Sequence, residues 1–121
     1  MRACLFVGLG GFIGSVCRYL LSLPPLGGHG SFPYVTLLIN VAGAFLIGLI
    51  TGLTGKLGTF HPDVLVFLRA GICGGFTTFS TFALELNGLL ETGKPWVAAA
   101  YIALSLLLGI GAVFAGKAVV S

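Results

Sequence analysis

Four long apolar runs, parted only by short clusters of Pro, Gly and charge, are the feature that most restricts this chain. A hydrocarbon core about 30 Å thick is crossed by roughly 20 apolar residues in a helix, and runs of this length match that requirement four times over. The expected crossings cover about 3–21, 34–54, 63–90 and 96–119, one domain over residues 1–121 with no room for a soluble one. Only 9 of 121 residues are charged, 6 Lys or Arg and 3 Asp or Glu, while 57% are hydrophobic, so a water-soluble fold could not cover its surface. The first run follows Arg2 as a secretory signal would, but it ends at Arg18-Tyr19 instead of a small-residue cleavage site and is expected to be retained.

The connections are read from their breakers. Pro24, Pro25, Gly27 and Gly28 open a loop that continues to Pro33; a turn at Gly55-Lys56-Leu57-Gly58 leads to Pro62 and Asp63, which suit a helix start. Glu91 to Pro95 form the last loop, and Trp96 opens the fourth crossing as an interfacial aromatic. Cys4, Cys17 and Cys73 all fall in crossings without Cys-x-x-Cys spacing, which indicates neither a disulfide framework nor a metal site. The net charge of +3 is spread over helix ends and loops, a pattern for anionic lipid headgroups and not for nucleic acid. Arg2, Lys56, Arg69 and Lys117 fall on one side and Arg18 and Lys94 on the other, a bias that orients the chain only weakly.

Glycine recurs four residues apart in Gly10 and Gly14, Gly48 and Gly52, and Gly71 and Gly75, the spacing that lets helix backbones approach closely in lipid. Gly8-Leu9-Gly10-Gly11-Phe12-Ile13-Gly14 is not a nucleotide loop, since Ile13 stands where the third glycine belongs.

Polar side chains inside the crossings need partners or water. Asn40, with Thr36 one turn earlier, serves either as glue between helices or as the lining of a pathway. The third crossing interleaves Thr77, Thr78, Ser80 and Thr81 with Phe76, Phe79 and Phe82. At about 100° per residue a regular helix would gather the phenylalanines on one face and the hydroxyls on the other. Gly71, Gly74 and Gly75 precede this stretch, and glycines beside Ser/Thr runs are where membrane helices break and expose carbonyls, which are cation ligands. Phenylalanine at helical spacing is ordinarily packing; its functional use would be the positive ring edge turned to an anion. Tyr101 and Ser105 share a face of the fourth crossing and either line a route or bond to the helix or a neighbour. Arg18 either snorkels or gathers anions at a mouth, and Glu85, on the Thr78 and Thr81 face, either sits in a watery vestibule or pairs with a cation. Four helices are too few to enclose a wet path, so a second subunit is expected.

Three segments then resemble one family. They are Gly10-Gly11-x-x-Gly14-x-x-x-Arg18-Tyr19, Thr36 to Asn40 followed by Gly43 and Gly48, and Gly71-x-x-Gly74-Gly75-Phe76-Thr77-Thr78-Phe79-Ser80-Thr81-Phe82. Over essentially its whole length the sequence resembles the Fluc (CrcB) family of bacterial fluoride channels. The resemblance implies an all-α integral membrane protein of four transmembrane helices with a broken third, working as an antiparallel, dual-topology homodimer in a bacterial plasma membrane. It implies passive export of fluoride along two pathways at the dimer interface, with a structural sodium ion at the centre. Carried over by position, Asn40, Phe79, Ser80, Thr81, Phe82, Tyr101 and Ser105 would line the fluoride route. Backbone carbonyls of Gly74 and Thr77 from both subunits would hold the sodium. Gly109 and Val113 occupy turns where the family's polar track often carries more hydroxyls.

Hydroxyls and an amide do not by themselves choose an anion over a cation, so fluoride rests on the resemblance. A proton-coupled exporter like the small multidrug resistance transporters is the alternative, but the first helix lacks the acidic residue on which those depend. A purely structural subunit would leave the two-faced third helix without a purpose. Enzymatic chemistry is not expected: His29 and His61 fall in loops, and no nucleophile stands with a base.

Overall fold

The computed structural model describes residues 1–24, 32–58 and 60–121, and within them every regular element is helical. Four spans are long and apolar enough to cross a membrane: α1 (Arg2–Ser22), α2 (Tyr34–Leu57), a third span Pro62–Glu91 and a fourth, Pro95–Val119. The third is two helices in sequence, α3 (62–76) and α4 (Ser80–Glu91), so the fourth span is α5 (Pro95–Val119). The expected crossings and the break in the third are therefore present. The Pro/Gly-rich loop expected at 23–33 falls largely on 25–31, which lie outside the described residues together with His29.

Helix ends follow local chemistry. The turn expected at Gly55 does not form; α2 continues to Leu57 and stops at Gly58, whose φ of 82° lets its N–H reach back to the Thr54 carbonyl at 2.9 Å. Pro62 occupies the first turn of α3, where a missing N–H costs nothing, and the His61 ring nitrogen Nδ1 accepts the Asp63 N–H at 3.1 Å. Asp63 is also bound by Arg2 at 2.5 Å, tying the start of α1 to the start of α3. Between α4 and α5 the chain turns through Gly93, at φ 73°, and Pro95 begins α5. Within α3, residues Val66–Cys73 form a π-helix, a widening that no local sequence signal announced.

Lipid offers no hydrophobic drive between apolar helices, so close packing must hold them. The glycine pairs supply it. Gly10 and Gly14 of α1 lie directly on α3: a Cβ added at Gly10 would come within 2.8 Å of the Gly71 Cα, and one at Gly14 within 2.9 Å of the Phe76 nitrogen. Gly75 faces the Gly11 backbone in the same seam. Gly48 and Gly52 of α2 meet α5 at Val113 and Lys117, and Gly116 returns the contact against Phe45 and Leu49. Two backbone-to-backbone pairs result, α1 with α3 and α2 with α5. A side-chain core of Leu37, Leu89, Ala98 and Tyr101, flanked by Phe82 and Leu86, joins the start of α2 to α4 and the head of α5. Large apolar residues such as Leu9, Phe12, Leu107 and Phe114 face outward, the surface a lipid solvent requires.

Gly14→Leu is expected to destabilise the protein by at least about 1–3 kcal/mol, because neither neighbouring backbone can yield. Gly8→Leu, at a glycine with nothing within 4 Å, should be tolerated. Thermal unfolding and monodispersity in detergent, measured on both variants, check the contrast.

A clamped break in the third span

The last regular helical bond before the break runs from the Thr77 N–H to the Cys73 carbonyl at 3.1 Å, after which Thr77 turns to extended backbone at ψ 157°. Every group released from a helical ladder inside a membrane costs several kcal/mol unless something else binds it. Here side chains from two other helices do so. Asn40 of α2 accepts the Thr78 N–H at 2.8 Å and donates Nδ2–H to the Thr78 carbonyl at 3.1 Å, a two-point pairing that copies the way one strand holds another. Arg18 of α1 donates from Nε to the Gly75 carbonyl at 3.2 Å. The Thr78 hydroxyl accepts the Thr81 N–H at 3.3 Å and so restarts the helix as a cap, while the Thr77 hydroxyl bonds back to Cys73 at 3.0 Å.

Arg18 therefore reaches inward to the break with its Nε–H, where the Gly75 carbonyl offers a partner. What remains open is equally specific. Among the described residues the carbonyls of Gly74, Phe76 and Thr77 accept no hydrogen bond, and the N–H groups of Phe79 and Ser80 donate none. Gly74 and Thr77 line a pocket of about 260 Å³ with Asn40, Gly43, Ala44, Ile47, Arg69 and Cys73.

The three phenylalanines do not share one face, since the break interrupts the periodicity that would align them. Phe76 ends α3 and is buried against Gly14 and Gly43. Phe82 joins the core, its ring centroid 4.8 Å from that of Tyr101. Phe79, 5.9 Å from Phe82, is 78% exposed and projects from the break. Ser80 is exposed beside it and Thr81 half-buried.

Tyr101, fully buried, donates its hydroxyl to Glu85 Oε1 at 3.0 Å. Glu85 thus has the Tyr101 phenol as a hydrogen-bond partner. Ser105, one turn further along α5, does not bond back to its helix: its buried hydroxyl has no hydrogen-bond partner. Further along α5 the Val113 backbone packs against Gly48 of α2. The structure brings Asn40 to Thr78, Phe79 to Phe82, and Phe82 to Tyr101 with its partner Glu85. Ser105 continues this second group alone. The Arg18 bond to Gly75 and the place of Arg69 in the pocket escaped the sequence, where each was visible only as a charge inside a crossing.

Comparison with known proteins adds an independent line. Residues 5–117 match the model of the family described as CrcB-like protein, Camphor Resistance (CrcB). A protein of Chlorobaculum tepidum named "Fluoride-specific ion channel FluC" is 44% identical over 96% of this chain and 92% of its own length. Proteins of the same name from Deinococcus radiodurans and Rhizobium meliloti are 48% and 47% identical, over 93% and 98% of this chain and 90% and 95% of theirs.

Asn40→Ala leaves the Thr78 N–H and carbonyl without partners and is expected to cost about 2–6 kcal/mol, at roughly 1–3 kcal/mol per stranded group. Asn40→Asp keeps an acceptor for the N–H and should lose less. Chemical or thermal unfolding in detergent, comparing the two variants, measures the difference.

Proposed function

The chain belongs to the CrcB family, and on that premise we propose that it is a multi-pass fluoride channel of a bacterial plasma membrane, exporting the ion passively along the interface of an antiparallel homodimer. The observation that carries this reading is the break at 77–79, whose open backbone groups and projecting Phe79 are set into a chain so similar to proteins named fluoride channels.

A single subunit leaves Phe79 and the open groups facing lipid, a condition that a second copy would relieve. That supports a dimer, and the weak charge bias across the membrane is compatible with the opposed insertion of its two members. Fluoride shedding its water needs hydrogen-bond donors spaced along its path. Asn40 has one amide N–H left after its bond to Thr78, and Ser80, Thr81 and Ser105 carry hydroxyls, the last already buried and unpaired. The backbone N–H groups of Phe79 and Ser80 lie at the start of α4, where the helix dipole favours an anion. Phe79 and Phe82 would add ring edges, which carry the positive part of the aromatic quadrupole. Tyr101 and Glu85 hold Phe82 in place and border the route.

Sodium is proposed as the central ion. The orphaned Gly74 and Thr77 carbonyls fit it, since hard cations take oxygen ligands and two such carbonyls from each of two subunits would surround it. When bound it would supply a fixed positive charge at the centre of the dimer. The chain's own part is to keep those carbonyls bare, which Asn40 does by taking the Thr78 N–H that would otherwise return to Gly74.

Purified protein in liposomes should release trapped fluoride far faster than empty vesicles, as read by a fluoride electrode. Phe79→Ile and Phe82→Ile are each expected to slow this release by about tenfold or more, the scale of losing one aromatic contact of about 1.5 kcal/mol to the ion in transit. Both variants should still elute as dimers. Release no faster than from empty vesicles sinks the channel reading.

A further inference from the structure

Phe32 stands just before α2, where the chain makes a tight turn about Pro33. The Tyr34 N–H bonds back to the Phe32 carbonyl at 2.9 Å, and Pro33, at φ −79° and ψ 72°, is the centre of an inverse γ-turn. The pyrrolidine ring fixes that φ, so the turn is stiff. It brings the rings of Phe32 and Tyr34 to 4.9 Å of each other, and Phe32, half-buried, goes on to pack against the core at Tyr101.

From there a row of rings leads to the break. Phe32 meets Tyr101 edge to face, with centroids 5.5 Å apart and planes at 73°. Tyr101 is 4.8 Å from Phe82 at 60°, and Phe82 is 5.9 Å from Phe79 at 46°. Each separation suits the attraction of inclined aromatic pairs. Inclination matters because the edge and the face of a ring carry opposite partial charge, and the torsion that turns a phenyl ring is broad unless neighbours fix it. Phe82 has Phe79 as one ring neighbour, but Phe79 is itself 78% exposed, so the firm support lies with Tyr101. That ring is fixed in turn by the hydroxyl's bond to Glu85 and by the edge-to-face contact with Phe32.

We propose that Phe32 is a positioning residue for conduction: it holds the Tyr101 ring, and through it the inclination of Phe82, so that Phe82 keeps its edge toward the passing fluoride. The inference rests on the channel reading above and adds to it a residue that need not touch the ion. Apolar bulk alone would not serve in its place, because an alkyl side chain has no edge-to-face preference and leaves the Tyr101 ring freer to tilt.

Fluoride efflux from proteoliposomes tests this with Phe32→Leu, which keeps apolar bulk without a ring, and Phe32→Tyr, which keeps the ring. Phe32→Leu should slow efflux about fivefold while still eluting as a dimer, the scale of one aromatic contact, and Phe32→Tyr should run close to wild type. A double-mutant cycle separates positioning from a merely structural role: in a Phe82→Ile background the ring to be positioned is gone, and Phe32→Leu should slow efflux by less than about twofold more. Should Phe32→Leu not elute as a dimer, Pro33→Gly takes its place in the cycle, loosening the turn with every ring retained. An equal slowing in both backgrounds overturns the proposal. So does an unchanged rate in dimeric Phe32→Leu, or a Phe32→Tyr as slow as Phe32→Leu. Wild-type protein with no efflux above empty vesicles would instead remove the channel reading on which the proposal stands, and that arm tells the two failures apart.

Discussion

The pairing of the Asn40 amide with both backbone groups of Thr78 is the interaction on which the rest of the site depends. A membrane helix breaks at a heavy cost, because water is absent and each released N–H or carbonyl must find another partner. One amide side chain, with a donor and an acceptor in a single plane, settles two of those groups at once, and Arg18 settles a third at Gly75. Stability and chemistry are linked here in a simple way. By consuming the Thr78 N–H, Asn40 leaves the Gly74 carbonyl with nothing to accept, so a bond that holds the fold is also what bares that carbonyl. The same residue therefore answers both alternatives its sequence position left open: it is glue between helices, and its remaining N–H is available to the proposed route.

The four crossings were legible because length and apolarity alone determine them, and the glycine pairs were legible because close approach admits no other residue. Gly10 and Gly14, Gly48 and Gly52, and Gly71 and Gly75 all lie in helix seams. The break was also foreseeable, from glycines followed by hydroxyls. Its consequences for the phenylalanines were not, since a 100° periodicity presumes the continuous helix that the break denies. Phe76 is accordingly core, Phe82 half-buried on Tyr101 and Phe79 exposed, although the three are evenly spaced in sequence. Partners across helices were beyond reach for a different reason. Glu85 with Tyr101, Arg18 with Gly75 and Arg2 with Asp63 each join residues whose proximity is decided by packing, and a lone charge in an apolar run carries no label for its partner. The π-helix at Val66–Cys73 left no mark at all, as its residues would suit an ordinary helix.

Identity entered from two directions that test different things. Physical reading leads to a lined break with bare carbonyls on one flank and helix-terminal donors on the other, a site with uses for either sign of charge. Fluoride is attached to it by the family, over residues 5–117, and by similar proteins that are named fluoride-specific channels. Neither would suffice by itself: a motif without the geometry names a relative, and the geometry without the relative leaves the ion open.

The two arms of the third span are fastened to different neighbours. α3 is seated on α1 through glycine backbone, with no side chains between to give way, whereas α4 packs through side chains on the head of α5. The span is in that sense a mechanical link between two bodies, and residues 77–79 are its only joint. The α1 side and the α5 side also meet where Phe76 packs on Gly43 of α2, so the joint is braced by packing as well as by the Asn40 amide. A change of angle between the two arms would therefore have to be taken up in the backbone of residues 77–79, where the hydrogen-bond ladder is already interrupted.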